Sequence, residues 1–201
     1  MGTREDLLAG ARQVILERGV AKATARDIAA AAGVSLAAIG YHFGSKDELV
    51  SAALTESLGS GIGDEMEAIV DETAALPLLE GFATMWDRMP EIFTANREML
   101  LASLENTVRV SRDSRAGHAI AEATEQAHLG IADVLRRARP DLGEEDLIAI
   151  AKLDFLLVQS LGILWLVSPD VLPSGAELAR AVAAIAGNGN GGADADGGGN
   201  G

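Results

Sequence analysis

Three helix starts crowd into residues 24–49, TARDIAAAAGVSLAAIGYHFGSKDEL, and their spacing constrains the fold more than any other feature. Thr24 is followed three residues on by Asp27. Ser35 opens a second short segment. Ser45-Lys46-Asp47-Glu48 reads as a capping box. A Ser or Thr hydroxyl there accepts one of the free N–H groups of a first helical turn, and a carboxylate three residues later complements it. Helices this short are marginal alone, so they must pack on one another. The turn Gly33-Val34-Ser35 requires positive φ, which glycine adopts without steric cost. Ile28, Ala29, Val34, Ile39 and Phe43 are spaced to lock the segments into one unit, and Ala29 and Ala32 are small enough for a close crossing. This is helix-turn-helix grammar, in which the second helix enters the major groove.

The remaining chain is also helical in pattern. A first helix starts near Thr3, with Thr3 as its cap, Leu8, Ala11 and Ile15 on one face and Gly19 as its stop. The fourth start is expected to run from Lys46 to about Glu72, weakened at Gly59, Gly61 and Gly63. Further helices are expected at about 77–94, 96–109, 113–138, 144–167 and 174–186, with Pro90 kinking or splitting the first of these. Alternating β-branched runs are missing and aromatic residues are only 3% of the chain. The expected fold class is all-α, with about nine helices: a three-helix head over 1–50, a helical body over 51–186, and a disordered Gly-rich tail over 187–201.

Composition excludes several classes. Cysteine is absent, which removes disulfides, zinc-thiolate sites and thiol nucleophiles. His42, His118 and His128 are too scattered for a metal cluster, so neither metal nor cofactor is expected. The N-terminus does not look like a signal peptide, and the apolar stretch from Phe155 to Val167 is too short to span a bilayer. A cytoplasmic protein without a membrane partner is the expectation. No phosphate-binding glycine loop, His-Glu metal pair or Gly-x-Ser-x-Gly turn is present, so no enzyme is expected. The formal net charge of -14 argues against nucleic acid until its distribution is read. Within residues 1–55, Arg4, Arg12, Arg18, Lys22, Arg26 and Lys46 balance Glu5, Asp6, Glu17, Asp27, Asp47 and Glu48. The head is neutral and the excess lies behind it, which permits DNA docking at one end only.

With Thr24, Ile28-Ala29, Ala32-Gly33-Val34-Ser35, Phe43, Ser45-Lys46 and Leu49 in order, residues 3–50 resemble the TetR family of transcriptional regulators. The resemblance implies a sequence-specific, effector-responsive DNA-binding homodimer, commonly a repressor, on a pseudo-palindromic double-stranded operator. It implies that Thr24 caps a helix against a phosphate, that Tyr41 and His42 contact phosphate, and that Lys46 does so from the fourth helix. Ser35, Leu36 and Ala37 would face base edges, and Arg26 would reach a guanine, whose O6 and N7 suit a guanidinium fork. Gly40 departs from the family, which often has tyrosine there. One phosphate contact is lost, and the apolar Leu36, Ala37 and Ala38 favour thymine-methyl contacts.

The body carries two further expectations. Phe82, Met85, Trp86, Met89 and Phe93, opposite Phe155, are spaced either as core or as an adaptable pocket for a small hydrophobic effector. Asn106, Arg109, His128, Asp154 and Gln159 are polar groups near it that either orient such a ligand or, the reading their residue types favour, are solvated or internally satisfied structural groups. Residues 147–167 are apolar nearly all round, which requires two partners. Together with 176–186 they resemble the family's dimer-forming pair, placing Leu156, Ser160, Ile163, Leu164, Leu178 and Val182 at a two-fold interface. The rival reading is a helical ligand-binding or scaffold dimer whose head binds no specific operator.

Overall fold

The computed structural model describes residues 2–111 and 117–189, and among the described residues the regular structure is entirely helical. The head is built from α1 (Thr3–Arg18), α2 (Ala25–Ala31), α3 (Ala37–Phe43) and α4 (Lys46–Leu58). The body follows as α5 (Asp64–Thr73), α6 (Leu78–Ala95), α7 (Arg97–Val110), α8 (Gly117–Ala138), α9 (Glu144–Val167) and α10 (Gly175–Gly189). The helix start expected at 113 and the tail from 190 onward lie outside the described residues.

Local chemistry explains most of these bounds. Gly19 ends α1 at φ 76°, its N–H bonded to the Ile15 carbonyl, and Gly33 turns the chain at φ 67°. Thr24 caps α2 by accepting the Asp27 N–H, and Ser45 caps α4 by accepting that of Glu48. Two expected caps differ. Gly2, not Thr3, is the N-cap of α1, and Thr3 is already helical. Leu36 precedes α3, where the Ser35 carbonyl rather than its hydroxyl accepts from Ala38.

Gly59–Gly63 forms a π-helical turn that carries α4 into α5 without a break. Glycine weakens the α-helical ladder, and single π turns absorb that weakness while keeping the axis continuous. The expected run from Lys46 to about Glu72 is therefore one helical rod with a soft joint. Helix α6 passes Pro90 unbroken, so no split occurs there.

Three apolar clusters hold the chain. The head cluster joins Leu7, Ile28, Ile39, Leu49 and Val50, and is completed by Met99 and Ala102 from α7. Gly10 permits the α1–α2 crossing, because a Cβ there would stand 2.8 Å from the Ala32 nitrogen. The body cluster packs Ile69 of α5 with Met85, Trp86, Met89 and Phe93 of α6 and Leu161 of α9. A smaller cluster joins α8 to α9 through Ala132, Leu135, Leu147 and Ala151.

Helix α9 has 24 residues and is long and apolar enough to cross a membrane. The shorter stretch Phe155–Val167 understated its reach, because its helix starts at Glu144. Only 28% of its most apolar window is buried, so much of its apolar surface lies uncovered in the single chain. Helix α10 docks on α6 rather than standing free. Its first residue, Gly175, donates its N–H to Asp87 at 2.6 Å, and a Cβ there would lie 1.8 Å from the Ala83 carbonyl oxygen.

Candidate functional site

Helix α3 is two-faced. Ile39 is buried, and Ala38, Val34 and Phe43 pack around the head core. Ser35, Leu36, Ala37, Gly40, Tyr41 and His42 are exposed, with Tyr41 86% accessible and edge-on to His42 at 4.9 Å between ring centroids. The head thus holds α3 by one face and offers the other. The offered face is poor in hydrogen-bonding groups at its start, since Leu36 and Ala37 are apolar and Gly40 is bare. Arg4 lies over the Phe43 ring at 5.2 Å and steadies the end of α3 from α1.

The polar groups beside α3 are more committed than the sequence indicated. The Thr24 hydroxyl accepts the Asp27 N–H at 3.2 Å and donates to the Asp27 carboxylate at 2.6 Å. Asp27 also pairs with Arg18 at 2.9 Å. Its carboxyl is held below the usual range chiefly by the Thr24 hydrogen bond, which together with Arg18 outweighs an opposing desolvation. Lys46 donates to the Ala23 carbonyl at 3.3 Å and lies 3.3 Å from Asp47, so its ammonium clamps α4 to the start of α2. Arg26 is exposed, and no ion pair occupies it among the described residues.

Head and body meet on α7. Arg109 reaches Asp47 at 2.8 Å and donates to the Asn106 side-chain oxygen at 2.7 Å, while Asn106 donates to the Ser51 hydroxyl at 3.1 Å. Partial burial pushes the Asp47 carboxyl up. Its bonds to Arg109, then Lys46, outweigh that and leave it low. Of the two roles open to Asn106 and Arg109, the structure shows the structural one: both turn toward α4 and are engaged there. No local pattern marks their partners Asp47 and Ser51, which are brought there by packing alone.

A cavity of about 50 Å³ lies between α5, α6, α8 and α9. Thr73, Phe82, Met85, Ile150 and Asp154 line it, with Arg139 just past the end of α8. Arg139 is already engaged by Asp141 at 2.8 Å. Asp154 is 6% exposed, and its Oδ1 has no hydrogen-bond partner. Desolvation raises its pKa from 3.8 to about 7. Of the aromatic and methionine cluster, Phe82 and Met85 reach this cavity, whereas Trp86, Met89 and Phe93 are buried in the body core. Phe155 sits edge-on to His128, with centroids 5.0 Å apart. Gln159 lines a separate groove of about 70 Å³ with Leu104 and Ile163.

The expected interface residues divide likewise. Leu156, Ser160, Ile163 and Leu164 are exposed on α9, whereas Leu178, packed against the body core, and Val182 are both half-buried on α10. No group of three or more metal-ligating side chains occurs among the described residues.

Comparison with known proteins agrees with this geometry. Residues 7–53 match the family of bacterial regulatory proteins named for tetR. The HTH-type transcriptional regulator TtgR of Pseudomonas putida is 46% identical over 52 residues, 26% of this chain and 25% of TtgR. That match spans only about a quarter of the relative. The fold extends further. Thermus thermophilus FadR, a TetR-family repressor solved with lauroyl-CoA, superposes over 98% of this chain and 100% of its own, with a TM-score of 0.63 at 20% identity. The TetR-family repressor AlkX of a Dietzia species covers 90% of this chain and 91% of its own, with a TM-score of 0.57 at 16% identity. At such identities the structures establish shared architecture, while residues 7–53 alone carry the sequence signature of the tetR family of bacterial regulatory proteins.

Proposed function

We propose that this protein is a cytoplasmic, dimeric transcriptional repressor that binds a pseudo-palindromic operator through two α3 helices and is released from it by a small hydrophobic effector. The observation that carries this reading is the two-faced α3, locked by Ile39 and Phe43 while Leu36, Ala37, Tyr41 and His42 stand free. Methyl and apolar side chains at its start suit thymine methyl groups in the major groove. Arg26, exposed on α2, supplies the guanine-reading fork. Tyr41 and Lys46 supply phosphate contacts, with Lys46 already oriented by the Ala23 carbonyl.

Dimerisation rests on the uncovered face of α9. Leu156, Ile163 and Val167 are 60%, 46% and 75% exposed on one apolar helix. A second copy related by a two-fold axis covers such a stripe with itself. The same demand for cover argues for a dimer over a membrane-spanning α9, because α9 also packs on α8 and holds the buried Asp154.

Release requires an effector that binds the DNA-incompetent arrangement more tightly. Helix α5, which walls the cavity, is one rod with α4 through the π turn. Motion of α5 is therefore passed to the fourth helix of the head. The direct test is selection of bound sequences from a random DNA pool, followed by salt-titrated binding with competitor. A two-fold motif that survives competitor is the expected result. Binding that is salt-sensitive and blind to sequence would favour instead a ligand-binding scaffold dimer, a reading to which the neutral head and the internally tied Thr24 lend weight.

A further inference from the structure

Among the described residues of the body, Asp154 is a carboxyl group that its own packing leaves unsatisfied. Asp154 lies mid-way along α9, is 6% exposed, and turns toward the cavity walled by α5, α6, α8 and α9. Its Oδ1 has no partner, and no cation answers it among the described residues. Arg139, the basic group on that wall, is held by Asp141 through both its Nε, at 2.9 Å, and Nη2, at 2.8 Å. The Thr73 hydroxyl, also on the wall, donates to the Ile69 carbonyl at 2.7 Å. The other lining groups, among them Val70, Phe82, Met85 and Ile150, are apolar.

A buried carboxyl without a partner is strongly disfavoured relative to water, so it is seldom retained where packing alone matters. Burial raises its pKa to about 7, so near neutrality the group is divided between protonated and charged forms, which lowers the cost but leaves donor and acceptor capacity unused. A ligand bearing an ammonium group would convert it to a paired carboxylate. A ligand bearing a carboxylate would meet a second acidic group in a low-dielectric site. Phe82 lines the same cavity, and aromatic rings attract cations.

From the repressor reading above, and resting on it, we propose that the effector site is this cavity and that Asp154 makes it selective for small apolar amines, protonated at nitrogen. The ammonium donates to the Asp154 carboxylate, and the apolar remainder lies against Phe82, Met85 and Ile150. The cavity's roughly 50 Å³ is well below the ~300–1,000 Å³ of a formed drug-sized pocket. Occupancy by anything larger than a few atoms must spread α5 from α6, where Gly81 already stands so close that a Cβ would lie 3.3 Å from the Thr73 hydroxyl. That spreading is the displacement the α4–α5 rod transmits to the head.

The test uses the full chain and three probes of matched size: 2-phenylethylamine, 2-phenylethanol and 3-phenylpropionate. Binding is measured by calorimetry, and release of the selected operator is measured beside it. We expect the amine to bind at least about tenfold more tightly than the alcohol, and the propionate least. Asp154→Asn should abolish the amine's advantage while leaving the alcohol's affinity within a few-fold. Should that variant misfold, the wild-type ranking decides alone. Equal affinities for amine and alcohol, a preference for the propionate, an advantage that survives Asp154→Asn, or no amine binding at millimolar concentration each overturns the inference. The two readings fail separately: operator release by the alcohol alone keeps the repressor and sinks the amine site, whereas amine selectivity without any selected operator keeps the site and sinks the repressor.

Discussion

Arg109 on α7 meets Asp47 on α4 at 2.8 Å, so the first turn of the helix that carries Lys46 is bonded to the body as well as, through Lys46 and the Ala23 carbonyl, to the start of α2. With Asn106 donating to Ser51 one turn further along α4, the contact ties α4 to α7 at two places. Both Arg109 and Asp47 are partly exposed, and pairs of that kind contribute about 0–1 kcal/mol. Arg109→Ala should therefore lower the melting temperature by only a few degrees. Its larger effect should fall on communication: operator affinity within a few-fold of wild type, and a several-fold change in effector concentration needed for release. Thermal melts and operator release, measured side by side, check this. An unchanged release curve would place the coupling elsewhere.

The two kinds of DNA contact should separate by salt and by sequence. Tyr41→Ala and Lys46→Ala should weaken binding to all sequences alike and flatten the dependence on salt. Lys46→Ala should also cost some stability, because it strips the Ala23 carbonyl of its partner. Arg26→Ala should instead relax preference at one base pair per half-site, by about 1–3 kcal/mol. A selected motif left unchanged by Arg26→Ala would end the guanine assignment.

Charges placed on α9 and α10 should have opposite consequences. Leu156→Glu and Ile163→Glu sit at exposed positions, so the expected product is a folded monomer with lost operator affinity. Leu178→Glu buries a charge against the body core and should unfold the chain. Sedimentation with circular dichroism distinguishes the cases. A dimer of unaltered mass in both α9 variants would move the interface.

Two glycines should respond oppositely to alanine. Gly10→Ala drives a methyl onto the Ala32 backbone at 2.8 Å, and overpacking of this kind costs about 1–3 kcal/mol. Gly40 has open space where a Cβ would go, so Gly40→Ala should stabilise α3 by about 0.5–1 kcal/mol. Denaturant titration reads both.

Asp154 should leave a signature in the pH dependence of stability. Its folded pKa, about 7, lies above its ordinary 3.8. The folded state then binds the proton more tightly than the unfolded state, so its contribution falls as pH rises from about 4 to 7 and is flat beyond. The full span is on the order of 4 kcal/mol at about 1.36 kcal/mol per unit. Asp27, Asp47, Asp141 and Glu144 have lowered pKa values and act in the opposite sense at more acid pH. The difference between wild type and Asp154→Asn isolates the one group: that variant should gain relative stability across this window. A parallel pair of curves would show that water reaches Asp154.

Local sequence determined where helices begin and end, since capping and turn chemistry act within a few residues. Thr24, Ser45, Gly19 and Gly33 do in the fold what their local chemistry dictates, whereas Thr3 and Ser35, hydroxyls with the same capacity, do not cap the helices beside them. The face of α3 was legible for the same reason: a seven-residue helix with Ile39 and Phe43 inward has little choice about what it turns outward. Contacts between distant segments were not legible. Nothing near Gly10 or Gly175 announces the backbones they admit, and Phe82 and Met85 share the spacing of Trp86, Met89 and Phe93 although only the first two reach the cavity. Helical periodicity specifies which residues face inward but not what they meet. Whether an inward side chain meets another side chain, a void, or a carboxyl such as Asp154 depends on how the helices cross, and that was decided only when α5, α6, α8 and α9 packed together.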